Sequence, residues 1–189
     1  MSNYFKVVWK IIIFLFIFQT KIYPLNILIS NKVSSDWIEV SAKLVGFQPD
    51  KILKSLNEGL KAEIFFQFRL YKKNKSIVSF FGDWVVAEEK PFFIAYRDFF
   101  SDLYIIETSE HKKYTFSEAE MFTEHFSGIS SYRFFNISNI DISEYYILAR
   151  IIINPVKLEP PLHIISLFSP IRRMTNWAKS NIEVKKDTE

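Results

Sequence analysis

The sequence predicts one α+β domain, a mostly antiparallel sheet of six to eight strands with two inserted helices and a C-terminal helix. Three observations predict it. Apolar and polar residues alternate with a period of two through most of the chain. The segments joining those runs are too short for crossovers, so neighbouring strands must pair antiparallel. Three other stretches repeat their apolar residues at helical spacing behind helix-start residues. The expected domain covers residues 34–182, with 183–189 as a frayed tail.

In chain order, residues 37–44 set Ile38, Val40, Ala42 and Leu44 against Glu39, Ser41 and Lys43. A first helix is expected over 49–58. Pro49 suits its first turn, Asp50 meets the positive end of its dipole, and Gly59 fits the position after its cap. Residues 62–71 place Ile64, Phe66, Phe68 and Leu70 inward, with Gln67 and Arg69 outward. Residues 77–87 put Val78, Phe80, Gly82, Trp84 and Val86 on one face. Further strands are expected at 91–97, 103–108, 132–137 and 144–156. Ser117 and Glu120 form a capping box for the second helix, with Phe116 and Met121 as its staple. Phe122, His125 and Phe126 then face inward, and Gly128 ends it. Ser169-Pro170 opens the third helix, in which Ile171, Met174, Trp177 and Ala178 recur at helical spacing.

Composition excludes more than it assigns. With 49% apolar and 24% charged residues, the chain is neither a disordered tail nor a multi-span membrane protein. Four Gly leave no glycine-rich phosphate loop, and the absence of Cys removes disulfides, thiolate metal sites and thiol nucleophiles. Lys6, Lys10 and Lys21 precede Pro24 with no Asp or Glu among them. Removing those three from 24 basic residues leaves 21, against 21 acidic ones, so the body is neutral and no nucleic-acid stripe is expected.

Residues 1–24 read as a signal peptide or an N-terminal membrane anchor. Two lysines flank Val7-Val8-Trp9 and the apolar run from Ile11 to Phe18 follows. That run spans about 12 Å as a helix against a ~30 Å bilayer core, which suits a signal peptide better than a spanning helix. Either form directs the body out of the cytoplasm, to the periplasm or an equivalent space.

No catalytic constellation is expected. His111 lies in a polar turn, His125 has no second His at helical spacing, and His163 follows Pro-Pro-Leu. Gly128-Ile129-Ser130-Ser131 lacks the strand–elbow–helix setting of a hydrolase serine. The sequence thus predicts a protein that is not an enzyme, with no cofactor, no metal and no nucleic-acid partner. Its aromatic surplus, 20 Phe and 9 Tyr, nominates Phe65, Phe81, Phe93 and Tyr104 as an apolar groove on the second sheet face.

Several short motifs occur in a definite order. Glu58-Gly59-Leu60 precedes the strand at 62–71, and Trp84 stands in the next. Ala95-Tyr96-Arg97, Leu103-Tyr104-Ile105 and Phe116-Ser117-Glu118-Ala119 follow. Residues 145–150 then run towards Leu158-Glu159-Pro160-Pro161-Leu162, with Trp177 and Ser180 near the end. In these the chain resembles the exported bacterial family known as domain of unknown function 4390. The resemblance implies an envelope protein and supplies no catalytic residue. Two functions from different classes are expected. One is a non-catalytic module that binds an envelope protein partner through a sheet edge and the corner Pro160-Pro161-Leu162, where proline cannot complete a ladder. The other is a carrier of an apolar ligand such as a lipid, held in an aromatic-lined pocket.

Overall fold

The computed structural model describes residues 25–75, 80, 82–137, 142–157 and 173–182. Its first elements are β1 (Asn26–Ser34), β2 (Trp37–Val45), α1 (Asp50–Asn57) and β3 (Lys61–Lys72). There follow β4 (Trp84–Glu89), β5 (Phe92–Asp98), β6 (Leu103–Thr108), β7 (Lys113–Phe116) and α2 (Ala119–Phe126). The chain continues through β8 (Gly128–Asn136), β9 (Tyr145–Lys157), β10 (Arg173–Met174) and β11 (Ala178–Asn181).

The expected mostly antiparallel α+β fold is present. Among the described residues its strands form two sheets, where one was expected. One sheet has three strands, ordered β1-β2-β8. The other has eight, with β10-β9-β3-β5-β6-β7 as its spine, β11 beside β9 and β4 beside β3. Every pairing is antiparallel. Folded chain also begins ahead of residue 34, because β1 pairs along its whole length with β2, from Asn26 opposite Val45 to Ser34 opposite Trp37.

One core lies between the sheets. The alternation placed its faces correctly where both sides of the ladder are local: Ile38, Val40, Ala42 and Leu44 are buried from β2, and Ile64, Phe66, Phe68 and Leu70 from β3. Register sets Ile64 to Leu70 opposite Ile153 to Ile147, so the inward rows of β3 and β9 interlock. Phe68 reaches across to Tyr132 and Phe134 of β8, each ring 5.9 Å away. Both helices lie on this same face of the large sheet. Helix α1 buries Ile52 and Leu56, while α2 stacks Phe122 on Tyr104 at 5.0 Å and on Phe126 at 5.5 Å.

Helix α1 ends as its sequence requires. Gly59 takes φ +81°, Leu60 N–H donates to Ser55 O at 2.9 Å and Gly59 N–H to Leu56 O at 3.0 Å, a complete Schellman cap. Helix α2 differs from expectation at both ends. It starts at Ala119 behind Glu118 with no side-chain cap, and Met121 is exposed, so neither capping box nor staple forms. Gly128 belongs to β8. The backbone at 113–116 is already committed to β7, which leaves Ser117 no room to fold back over the first turn.

The C-terminal helix is also corrected. Residues 173–174 and 178–181 are strands, paired with Ile152–Ile153 and with 146–149 of β9. An open edge of β9 offers ladder bonds that outweigh local helical spacing. Trp177 between the two strands lies over Arg69 at 4.9 Å and Arg150 at 4.5 Å on the outer face of the large sheet. Beneath it Arg150 donates to Gln67 at 2.7 Å, Gln67 donates to Glu88, and Glu88 pairs with Arg69 at 2.9 Å. Phe80, Trp84 and Val86, expected on one face of 77–87, are all exposed, and β4 pairs with the C-terminal half of β3. Residues 1–24, 76–79, 158–172 and 183–189 lie outside the described residues, and with them the leader, the corner Pro160-Pro161-Leu162, His163 and the tail.

Candidate functional site

The site is built on the small sheet, where residues alternate between the core and the outside. Ser30 and Ser41 are cross-strand partners on the outer face, and Ser130 lies beyond them on β8. Three small side chains in a row leave the sheet low there, and the turn between β6 and β7 rises beside it. A cleft of about 850 Å³ results, lined by these serines, Leu28, Ile29, Ala42, Lys43, Pro91, Phe93, residues 108–110, Lys112, Tyr114, Glu124, His125 and residues 128–133.

The wall is held rigidly. Thr108 N–H donates to Lys112 O at 2.9 Å, Lys112 N–H to Thr108 Oγ1 at 3.2 Å, and Ser109 N–H to Phe92 O at 2.8 Å. His111 takes φ +60° at the tip of this turn and is exposed, with Nδ1 4.0 Å from Glu107. Two ion pairs stand at the rim: Lys43 meets Glu124 at 3.3 Å and Lys112 meets Glu110 at 2.6 Å, and Arg133 adds a further cation.

His125 sits at the inner end of the cleft in a ring of aromatics, 4.6 Å from Tyr114, 5.2 Å from Phe116 and 6.3 Å from Phe93 between ring centres. Burial holds its imidazole below the ordinary value, so it is neutral at neutral pH. Tyr132 closes the base, stacked on Phe68 and donating its hydroxyl to Glu89. Its phenol is pushed up, first by burial and then by that carboxylate.

The cleft runs along β8, and among the described residues no strand pairs with the far edge of β8. Ser127 O accepts from Leu44 N–H at 2.9 Å, so by alternation Gly128 and Ser130 turn their N–H and C=O groups away from β2. Ser131, at φ +49°, breaks the ladder with a bulge and donates its N–H to Ser41 Oγ at 3.0 Å. The site therefore offers backbone bonds on one side, two ion pairs at the rim and a neutral aromatic end.

Of the expected groove residues Phe65, Phe81, Phe93 and Tyr104, the three that are described do not share one face. Phe93 and Tyr104 are buried on the covered face, Phe65 is half-buried on the opposite face, and Phe81 lies outside the described residues. Register explains this: Phe93 stands opposite Ile64, an inward position, whereas Phe65 stands opposite Phe92. Of the three that are described, only Phe93 lines the cleft. Sequence reasoning missed Ser30, Ser41 and Ser130 as a floor. The outward phase of Ser41 was legible in the 37–44 alternation, whereas Ser30 and Ser130 lay outside every expected strand.

No hydrogen bond joins Ser130 or Ser131 to His125, and no cluster of three metal-binding side chains occurs, among the described residues. No family model matches the chain, and neither a curated protein nor a solved structure matches it.

Proposed function

We propose that the chain is a non-catalytic interaction module of the cell envelope that takes an extended segment of a protein partner along the outer edge of β8. The open edge beside a cleft of about 850 Å³ carries this reading. An added strand satisfies the outward groups of Gly128 and Ser130, and alternate side chains fall towards the His125 end or over the serine floor. The bulge at Ser131 limits the pairing to a short segment, which suits reversible binding. The positively charged leader in the sequence and the resemblance to an exported family support the envelope setting. Lipid carriage is the second reading, because Leu28, Ile29, Ala42 and Phe93 also line the cleft, but the open edge of β8 favours an extended peptide.

The test uses a photo-crosslinking residue at Ser109, on the cleft wall, in intact envelopes. A discrete protein adduct is expected, and Ser130→Pro, which removes one outward N–H, should abolish it without changing the circular dichroism. An adduct that survives Ser130→Pro, or lipid in place of protein at this position, would overturn the reading.

A further inference from the structure

The cleft along β8 differs from one end to the other. At its first end α2 runs out through Ser127 into Gly128, which brings His125 beside the start of β8. There the neutral imidazole, Tyr114 and Phe93 form an aromatic recess on the side that faces the large sheet. Tyr114 is still more than a third exposed, so the recess has apolar surface left to cover.

At the other end stands Arg133. It lies opposite Glu39 in register, one place beyond Tyr132, which turns inward onto Phe68. By alternation the Arg133 side chain faces the outer side of the small sheet, where it is exposed. Five charged side chains line the cleft: Lys43, Lys112 and Arg133 with Glu110 and Glu124. Lys43 pairs with Glu124, and Lys112 with Glu110. Glu39, the acid opposite Arg133, is held by Lys32 at 3.0 Å. Arg133 makes no ion pair among the described residues, so one positive charge is left over at this end. From Gly128 to Arg133 the strand covers about 15 Å, which an added segment of about five residues spans.

We infer that the segment taken by β8 carries an aromatic side chain for the His125 recess and a carboxylate for Arg133. The inference rests on the β8 reading and names the chemistry of its partner. The recess faces the large sheet, whereas Arg133 faces away from it. Side chains of an added strand alternate between those two sides, so the two groups stand an odd number of positions apart, roughly three or five. The ring packs against Tyr114 and His125. The carboxylate accepts from the guanidinium, a bond strengthened by both charges. The surplus positive charge draws in an acidic segment and disfavours a basic one.

The test presents a display library of random peptides, about eight residues long, to the full chain in detergent micelles. The chain carries the photo-crosslinking residue at Ser109, so a peptide lying in the cleft is captured and its clone sequenced. Captured clones are expected to share Phe, Tyr or Trp with Asp or Glu at an odd spacing. One such sequence, made as a synthetic peptide, should bind Arg133→Gln about fivefold more weakly than the parent. Replacing its carboxylate by the amide should cost the same factor on the parent and nothing further on Arg133→Gln. Arg133 is exposed and outside the core, so the variant should keep the circular dichroism of the parent. Captured peptides without that pairing, or binding indifferent to Arg133→Gln, would overturn the inference and leave the β8 reading in place. Capture of no peptide at all would overturn both.

Discussion

Single residues carry conformations that their neighbours cannot supply. Gly59 closes the α1 cap at φ +81°, with only ordinary contact to Phe99 at 3.7 Å, so the constraint is backbone and not space. Gly59→Ala should therefore cost about 1 kcal/mol, read by urea unfolding, since left-handed backbone penalises a Cβ and the gain in the unfolded chain offsets only part. His125 shows the other kind of constraint. Burial lowers its folded pKa, whereas the unfolded chain protonates it near the ordinary value. As pH falls below that value the unfolded chain binds a proton that the folded chain refuses, so stability present at neutral pH is lost towards the folded pKa. Unfolding measured at neutral and at mildly acid pH should show a smaller difference for His125→Gln than for the parent. An unchanged difference would place the acid sensitivity elsewhere. Tyr146, pushed up to about 12 first by burial and then by its hydrogen bond to Asp83, stays neutral throughout that range.

At the scale of elements, the segment 173–181 is the instructive one. Its apolar spacing is helical, yet β9 is thirteen residues long and β3 covers only one of its edges. Pairing to the other edge satisfies ladder groups that would otherwise face water, and Trp177 adds two cation contacts, to Arg69 and Arg150. Trp177→Ala should cost about 2 kcal/mol, cations over a ring being worth roughly 0.5–2 kcal/mol each. Amide exchange in β11 should accelerate first, ahead of β3. If β11 and β3 exchange at the same rate in the variant, Trp177 is not what holds this edge. Helix α2 carries the opposite lesson: a capping sequence forms no cap when a strand has already taken the preceding backbone.

At the scale of the molecule, two sheets share one core, and a polar seam joins their edges. Asn31 of β1 donates to Ser180 at 2.7 Å and to Asn181 O at 2.9 Å on β11. Phe68 meets Tyr132 and Phe134 across the interior. Neither sheet buries its apolar face without the other, so tryptophan fluorescence and far-ultraviolet circular dichroism should report one coincident unfolding transition. Phe68→Ala should lower stability by about 3–5 kcal/mol while keeping the two probes coincident. Two separated transitions would mean that the sheets are independent units.

By itself the sequence determined the antiparallel class, the inward faces of β2 and β3, the end of α1 and the span of β6. Each of these follows from a period, a loop length or a glycine, which are properties of a few adjacent residues. Only the tertiary structure decided that the strands divide between two sheets and that 173–181 pairs with β9. It alone placed Phe93 inward and Phe65 outward, and gathered Ser30, Ser41, Ser130 and His125 around one cleft. Those outcomes depend on which edge is open and which face is covered, and both are set by residues far away in the chain.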